Sequence, residues 1–369
     1  MKSKLLFLTL VLCPVLEIVA QTRIAKKSCQ LPNGITIHYH ERGPASGLPV
    51  ILLHGFTDTS RSLYNVAEQI ENLDSSLRII VPDLRGHGDS SMPPASCAKD
   101  PSKCFSFPLL TSDIILLMDQ LSIPRAFVAG HSLGGMIAQE LALKHADRIQ
   151  GVALIATLLS GNTNEAVQDF VLKEMINGVM RRAAKDNHLR WPEQVYERTP
   201  SNLGDEVRAF LRKNWVSEPG ADDDLLDAIA RETVATRLGT WIGLAESIRG
   251  FDNRKALQRL SVPTLVLYST ADPVYPQGKT QEDFRNSLAE AIRNGNHTII
   301  YKQYGRNPEV RKSDLDLGHN FHWTVPDRVA ADIASFIRTY KPEPLHTYID
   351  DSGNIVSVPT ADDTVSLLK

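Results

Sequence analysis

Four short apolar runs constrain this chain more than any other feature: PVILLH at 49–54, RIIVP at 78–82, AFVAG at 126–130 and GVALIA at 151–156. Each is too short to be a buried helix and nearly continuous in apolar character, the pattern of a strand covered on both faces. Amphipathic stretches at helical spacing separate them, around 60–72, 108–121 and 133–145. Strand and helix in alternation specify an α/β fold with a mostly parallel central sheet flanked by helices. Ahead of the first run, CQLPNGITIHYHERG alternates apolar and polar residues around Pro32-Asn33-Gly34 and reads as a β-hairpin.

The rhythm stops near residue 158 and resumes only with PTLVLYS at 263–269 and HTIIYKQYG at 297–305, followed by a last helix at 326–340. The stretch between is helix-rich, charged on its outside, and contains Trp191, Trp215 and Trp241. The expected organisation is a core over 21–157 and 259–340, a helical cap or lid inserted at 158–258, and a tail at 341–369. In the tail, TYIDDSGNIVSV suggests a short hairpin. An insertion of this kind tends to lie over the carboxyl ends of the strands, where ligands bind. Tryptophans of a cap that faced inward would favour an apolar or aromatic ligand; otherwise they pack its helices together.

The amino terminus follows another logic. MKSK supplies positive charge, LLFLTLVLCPVL is apolar, and EIVA closes on a small residue, so 1–20 reads as a secretory signal peptide cleaved near Ala20. Pro14 and Glu17 interrupt the apolar run and leave it short for a membrane span. Secretion makes disulfides permissible. After cleavage Cys29, Cys97 and Cys104 remain, and the pair in CAKDPSKC could close a small loop, although three pairings are open. Asn296-His297-Thr298 is a candidate glycosylation acceptor. A net charge of −3 leaves no basic footprint for nucleic acid and no polybasic membrane anchor. The eleven histidines lack metal-ligand spacing such as HExxH.

One string carries chemistry. Gly130-His131-Ser132-Leu133-Gly134 matches G-x-S-x-G between an expected strand and an expected helix, the context in which it marks a nucleophile elbow and not an ordinary turn. A serine needs a base and a group to orient that base, and this elbow places them in the order Ser, acid, His. For the acid, STADPVYP puts Asp272 in the turn at a strand's end; Asp252 reads instead as a helix N-cap, and Glu165 is a more distant alternative. For the base, LGHNFHWTVPDRVAADI offers His319 in a loop and His322 beside Trp323, the latter better suited to packing or substrate contact. Phe56, just after the strand PVILLH, and Leu133 are placed to donate main-chain N–H groups to an oxyanion, with His54 bracing the loop. DLRGHGDS, containing His87 and Asp89, reads as a structural turn.

HGF at 54–56, DLRGHGDS, GHSLGG at 130–135, PTLVLYSTADPVYP and the late GH occur in the order found in the α/β-hydrolase superfamily, which the chain resembles over nearly all of 30–340. The resemblance implies a Ser132–His319–Asp272 triad, an oxyanion hole from Phe56 and Leu133, and no cofactor. Epoxide hydrolases and haloalkane dehalogenases also resemble the chain but carry aspartate where Ser132 stands. Two departures are visible: YGRNPEVRKSDLDLG lengthens the interval before His319, and Thr324 occupies a position where an acidic residue is common. The expected function is a secreted serine hydrolase acting on a small, apolar carboxylic ester, lactone or thioester. The alternatives are an acyltransferase or C–C bond hydrolase with the same residues, or a non-catalytic ligand-binding protein on this fold.

Overall fold

The computed structural model describes residues 26–276, 278–295, 298–304 and 317–340, with the backbone of Leu345–Ile349 and Ile355–Pro359. The leader 1–20 and the Asn296 acceptor lie outside the described residues.

The hairpin forms as β1 (Lys27–Gln30) and β2 (Thr36–Arg42), paired antiparallel. The apolar runs become β3 (Leu48–Leu53), β4 (Leu77–Pro82), β5 (Ala126–His131) and β6 (Ile149–Ile155), followed by β7 (Thr264–Ser269) and β8 (Ile299–Tyr304). They join one eight-stranded sheet in the order β1-β2-β4-β3-β5-β6-β7-β8, parallel from β4 onward. Because β3 lies between β4 and β5, the strand order reverses beside it and opens a crevice at the carboxyl ends of β3 and β5. The tail adds a separate antiparallel pair, β9 (Leu345–Ile349) with β10 (Ile355–Pro359).

Alternation along each strand divides the core between two faces. Val50 and Leu52 of β3 pack with α1 (Tyr64–Leu73) and α10 (Pro326–Thr339) through Val66, Ile70, Val329 and Ile333. Ile51 and Leu53 point the other way, towards α2 (Phe107–Gln120), α3 (Leu133–Lys144) and α8 (Lys279–Arg293). Helix α3 is apolar around most of its circumference because it runs through the middle of the molecule, with residues Leu133 to Ala142 all buried.

Between β6 and β7 the chain builds a long π-type helix (Ala166–Met180), α4 (Arg181–Asp186), α5 (Asp205–Asn214), α6 (Asp223–Ala235) and α7 (Leu238–Arg249). Asp222 starts α6 by accepting the Leu225 N–H at 2.9 Å. Asp252 does not cap an α-helix: its Oδ1 accepts the Arg254 N–H at 3.1 Å in a local turn, and only a short 3-10 segment, Leu257–Arg259, follows. Helix α9 (Phe321–Thr324) precedes α10.

Cys97 and Cys104 form a disulfide, and Cys29 is free. Beneath that loop the Arg85 guanidinium meets Asp113 through two bonds, of 2.5 and 2.6 Å, and donates to the Cys104 carbonyl at 2.7 Å. Both side chains are almost wholly buried, 4% and 3% exposed. Removing one partner of a buried pair leaves a charge in low dielectric and costs about 3–5 kcal/mol. Asp113→Ala should therefore lower the unfolding free energy by that amount, seen as a lower urea midpoint at unchanged slope, and a midpoint within error of wild type would contradict it.

Candidate active site

Ser132 is the residue between β5 and α3, with φ 50° and ψ −112°. A non-glycine residue there carries about 1–3 kcal/mol of backbone strain and persists only where its surroundings over-determine it. They do so here. The Ser132 N–H donates to the Ile155 carbonyl at 2.9 Å, and the Ser132 carbonyl accepts the Thr157 hydroxyl at 2.8 Å. A Cβ at Gly130 would lie 2.2 Å from the Gly134 carbonyl oxygen, and one at Gly134 would lie 2.1 Å from that of Leu53. Only glycine at both positions lets the strand turn into the helix so tightly.

Asp272 stands in the loop after β7 and is nearly inaccessible. Its Oδ1 accepts the N–H groups of Val274 and Tyr275, each at 2.8 Å, so the carboxylate is locked by its own turn. Its Oδ2 accepts the Nδ1–H of His319 at 2.8 Å, which leaves Nε2 of that ring free to take a proton. Burial opposes charge on His319, but the Asp272 carboxylate and its hydrogen bond, with help from Glu218 and Asp58, hold its pKa above the usual 6.5. Ser132 and His319 line the same cavity; among the described residues no hydrogen bond joins the hydroxyl to the ring, and such bonds often close only when a reactant is bound.

Phe56 and Leu133 also line this cavity. Leu133 is the first residue of α3, so its N–H has no acceptor within the helix. His54 stands behind the loop: its Nδ1–H donates to the Gly55 carbonyl at 2.9 Å and its Nε2 accepts the Leu84 N–H at 3.0 Å. His87 works the same way, donating to the Arg85 carbonyl at 3.1 Å and accepting the Thr57 N–H at 3.3 Å. Burial pushes the His87 pKa down to about 3, which keeps that acceptor unprotonated. Asp83 braces the turn further by accepting the Ser60 and Asp89 N–H groups. His322 is buried outside the cavity lining, its ring centroid 4.2 Å from that of His131, so it packs and has no access to a substrate.

The cavity encloses about 710 Å³. Val167, Phe170 and Val171 of the π-type helix, Trp215 after α5, and Ala245 and Ile248 of α7 wall one side; Met136, Leu158, Val274 and Trp323 belong to the other. Of the three insertion tryptophans only Trp215 reaches the lumen, stacked on Phe170 with ring centroids 6.3 Å apart. Trp241 is buried behind Phe56 at 5.3 Å, and Trp191 stands away from the lining. No lysine or arginine lines the cavity among the described residues.

Two lining carboxyls have no counterpart in the sequence reading. Asp58, two residues past Phe56, is buried, and that burial pushes its pKa up to about 7 against the pull of His319. Glu218, from the insertion, is likewise pushed up to about 7 by burial, although it accepts the N–H groups of Gly318 at 2.6 Å and Asn320 at 2.8 Å. Glu165 lines the cavity, but the carboxylate bonded to His319 is that of Asp272. No group of three or more His, Cys, Asp or Glu side chains is arranged to hold a metal ion among the described residues, and no described helix is long and apolar enough to cross a membrane.

A family model described as alpha/beta hydrolase fold matches residues 49–304. Epoxide hydrolase A of Mycobacterium tuberculosis is 34% identical over 125 residues, 34% of this chain and 36% of its own length, so this chain spans about a third of that relative. Lipase 1 of Psychrobacter immobilis is 23% identical over 250 residues, 67% of this chain and 69% of its own. Among solved structures, a thermophilic esterase from Thermogutta terrifontis superposes with a TM-score of 0.60 at 21% identity, covering 86% of this chain and 99% of that one, a likeness of fold.

The Asp272 carboxylate generates a prediction. Because the folded pKa of His319 is raised, the pair stabilises the fold fully below pH 6.5 and ceases to do so as pH climbs through the raised value. In Asp272→Asn the ring should titrate at lower pH than in wild type, followed by histidine NMR, and stability should vary less with pH across that window. An unmoved midpoint would show that Asp272 does not govern the ring.

Proposed function

The chain belongs to the alpha/beta hydrolase fold family, and from that premise we propose that it is a serine hydrolase cleaving a carboxylic ester, lactone or thioester through an acyl-enzyme. The observation that carries this reading is the strained Ser132 at the apex of the elbow, sharing one cavity with the His319–Asp272 pair.

His319 takes the Ser132 proton through Nε2 as the hydroxyl attacks the substrate carbonyl, and Asp272 holds the ring and stabilises its cation. The N–H groups of Phe56 and Leu133 receive the oxyanion, helped by the positive end of α3. Collapse of the tetrahedral species expels the alcohol or thiol, which takes the proton back from His319. Water then repeats the sequence on the acyl group and frees Ser132. A carboxylate nucleophile would form an alkyl ester with an opened epoxide; a serine at this apex forms an acyl ester instead, which favours carbonyl chemistry over epoxide opening.

An apolar, aromatic wall without a lining cation suits an uncharged acyl group of moderate size. The helical insertion serves as the lid over the strand ends. Secretion fits the leader pattern of residues 1–20, and the Cys97–Cys104 disulfide supports an oxidising compartment.

Ser132→Ala should lower turnover of 4-nitrophenyl butyrate on the order of 10⁴-fold or more, and undiminished hydrolysis would remove Ser132 from the mechanism. A second outcome concerns pH. The base must be neutral to act, so kcat/KM should fall as pH drops through the His319 value, with its acid limb above the ordinary 6.5. A limb well below 6.5 would contradict the assignment of His319 as base.

A further inference from the structure

We propose that Glu218 of the helical insertion is a positioning residue for His319, holding the base by a carboxylate bridge across the two amides that flank it; this rests on the assignment of Ser132 and His319 above. Oε1 accepts the Gly318 N–H at 2.6 Å and Oε2 accepts the Asn320 N–H at 2.8 Å. One rigid group thus brackets His319 along the backbone and fixes the direction in which its side chain leaves the chain. Bonds from amides to a carboxylate are charge-assisted and stronger than those between neutral groups.

The same short segment grips the loop twice more. The Asn320 side-chain amide donates to the Ser217 carbonyl at 3.3 Å, and the Thr324 hydroxyl donates to the Pro219 carbonyl at 2.8 Å. The approach is close: a Cβ at Gly318 would lie 2.7 Å from Glu218 Oε2 and would press that carboxylate out of its place. Glu218 is itself buried and lines the same cavity as His319. The ionisable groups around His319 are then Asp272, Glu218 and Asp58 on the acidic side, with His131 and His322 forming a stack of rings beside it. Glu218 aims the base and, in its ionised form, adds negative charge beside the imidazolium. Displacing a catalytic group by about 1 Å costs about a hundredfold in rate, so a small shift of this loop reaches the chemistry.

The test is Glu218→Gln in the mature full-length protein, assayed with 4-nitrophenyl butyrate across pH, by the rate of fluorophosphonate labelling at Ser132, and by thermal midpoint. Glutamine keeps one acceptor where two N–H groups need them. Expected are a fall in kcat of about 10- to 100-fold with KM changed by no more than about threefold, slower labelling, and an acid limb moved to lower pH because one negative neighbour of the imidazolium is gone. Gly318→Ala, pressing on the same contact from the other side, should lose kcat similarly. Thr324→Ala, which cuts only the contact to Pro219, should keep kcat within roughly twofold.

A Glu218→Gln protein that melts earlier yet turns over at the wild-type kcat, its acid limb unmoved, would make Glu218 a structural strut and overturn the proposal. Were that variant not to fold, a wild-type kcat in Gly318→Ala would overturn it alone. Turnover surviving in Ser132→Ala would bring down the assignment of the nucleophile and this inference together; an inactive Ser132→Ala beside an unimpaired Glu218→Gln would bring down the inference only.

Discussion

The positive φ of Ser132 is the constraint around which the molecule is organised. The strain of that one residue is borne by contacts that reach into β3, β6 and α3: the Leu53 carbonyl pressed on Gly134, the Ile155 carbonyl receiving the Ser132 N–H, and Thr157 holding its carbonyl. Two of these are main-chain contacts with the ends of buried central strands, and the third is the hydroxyl of a buried residue just past β6, so the elbow shares the stability of the core. Placing it at the reversal of strand order brings the loop after β3 beside it, and the loop after β7 and residues 318–320 complete the circle.

Several of the polar bonds that tie the insertion to the core fall on loops of the site, and others, from Tyr196 to the Pro93 carbonyl and from Thr240 to the Gly86 carbonyl, fall on the turn after β4. Trp215 donates to the Thr57 hydroxyl at 2.9 Å, and Glu232 of α6 receives the Thr59 hydroxyl at 2.6 Å and the Arg61 guanidinium at 2.5 Å, all in the loop after β3. Glu218 closes on the loop after β8. The Glu232 contacts are partly open to water and individually weak, whereas the Glu218 contacts are buried. The insertion is thus held loosely along the loop after β3 and firmly beside the histidine.

Much of this was legible in the chain, for identifiable reasons. Strands buried on both faces write themselves as continuous apolar runs, and β3 to β6 followed those runs to within a residue or two. The elbow was legible because the glycines it demands are adjacent in sequence, and Asp272 because a turn directly after a strand fixes where a carboxylate stands. Glu218 was not legible: its partners are main-chain N–H groups about a hundred residues away, and any residue but proline supplies such a donor, so no pattern of side chains marks it. The same limit applies to the tryptophans. Composition placed Trp191, Trp215 and Trp241 in one helical stretch, yet only tertiary packing put Trp215 in the lumen and Trp241 behind Phe56. Asp252 misled because an acidic residue before an amphipathic stretch serves a turn as readily as a helix. Helix α8 continues the alternation between β7 and β8, and its apolar stripe, Phe284, Leu288, Ala291 and Ile292, is interrupted by charged and polar neighbours on every turn.

The small loop closed by Cys97 and Cys104 packs directly against α7. Gly243 of α7 is seated against it so tightly that an added Cβ would meet the Phe105 ring at 2.5 Å and the Pro101 carbonyl at 2.9 Å. From the same helix Ala245 and Ile248 face the substrate space. The sulfur bridge is therefore a buttress one helix removed from the cavity, and a reducing milieu would soften that wall without touching any residue that lines it.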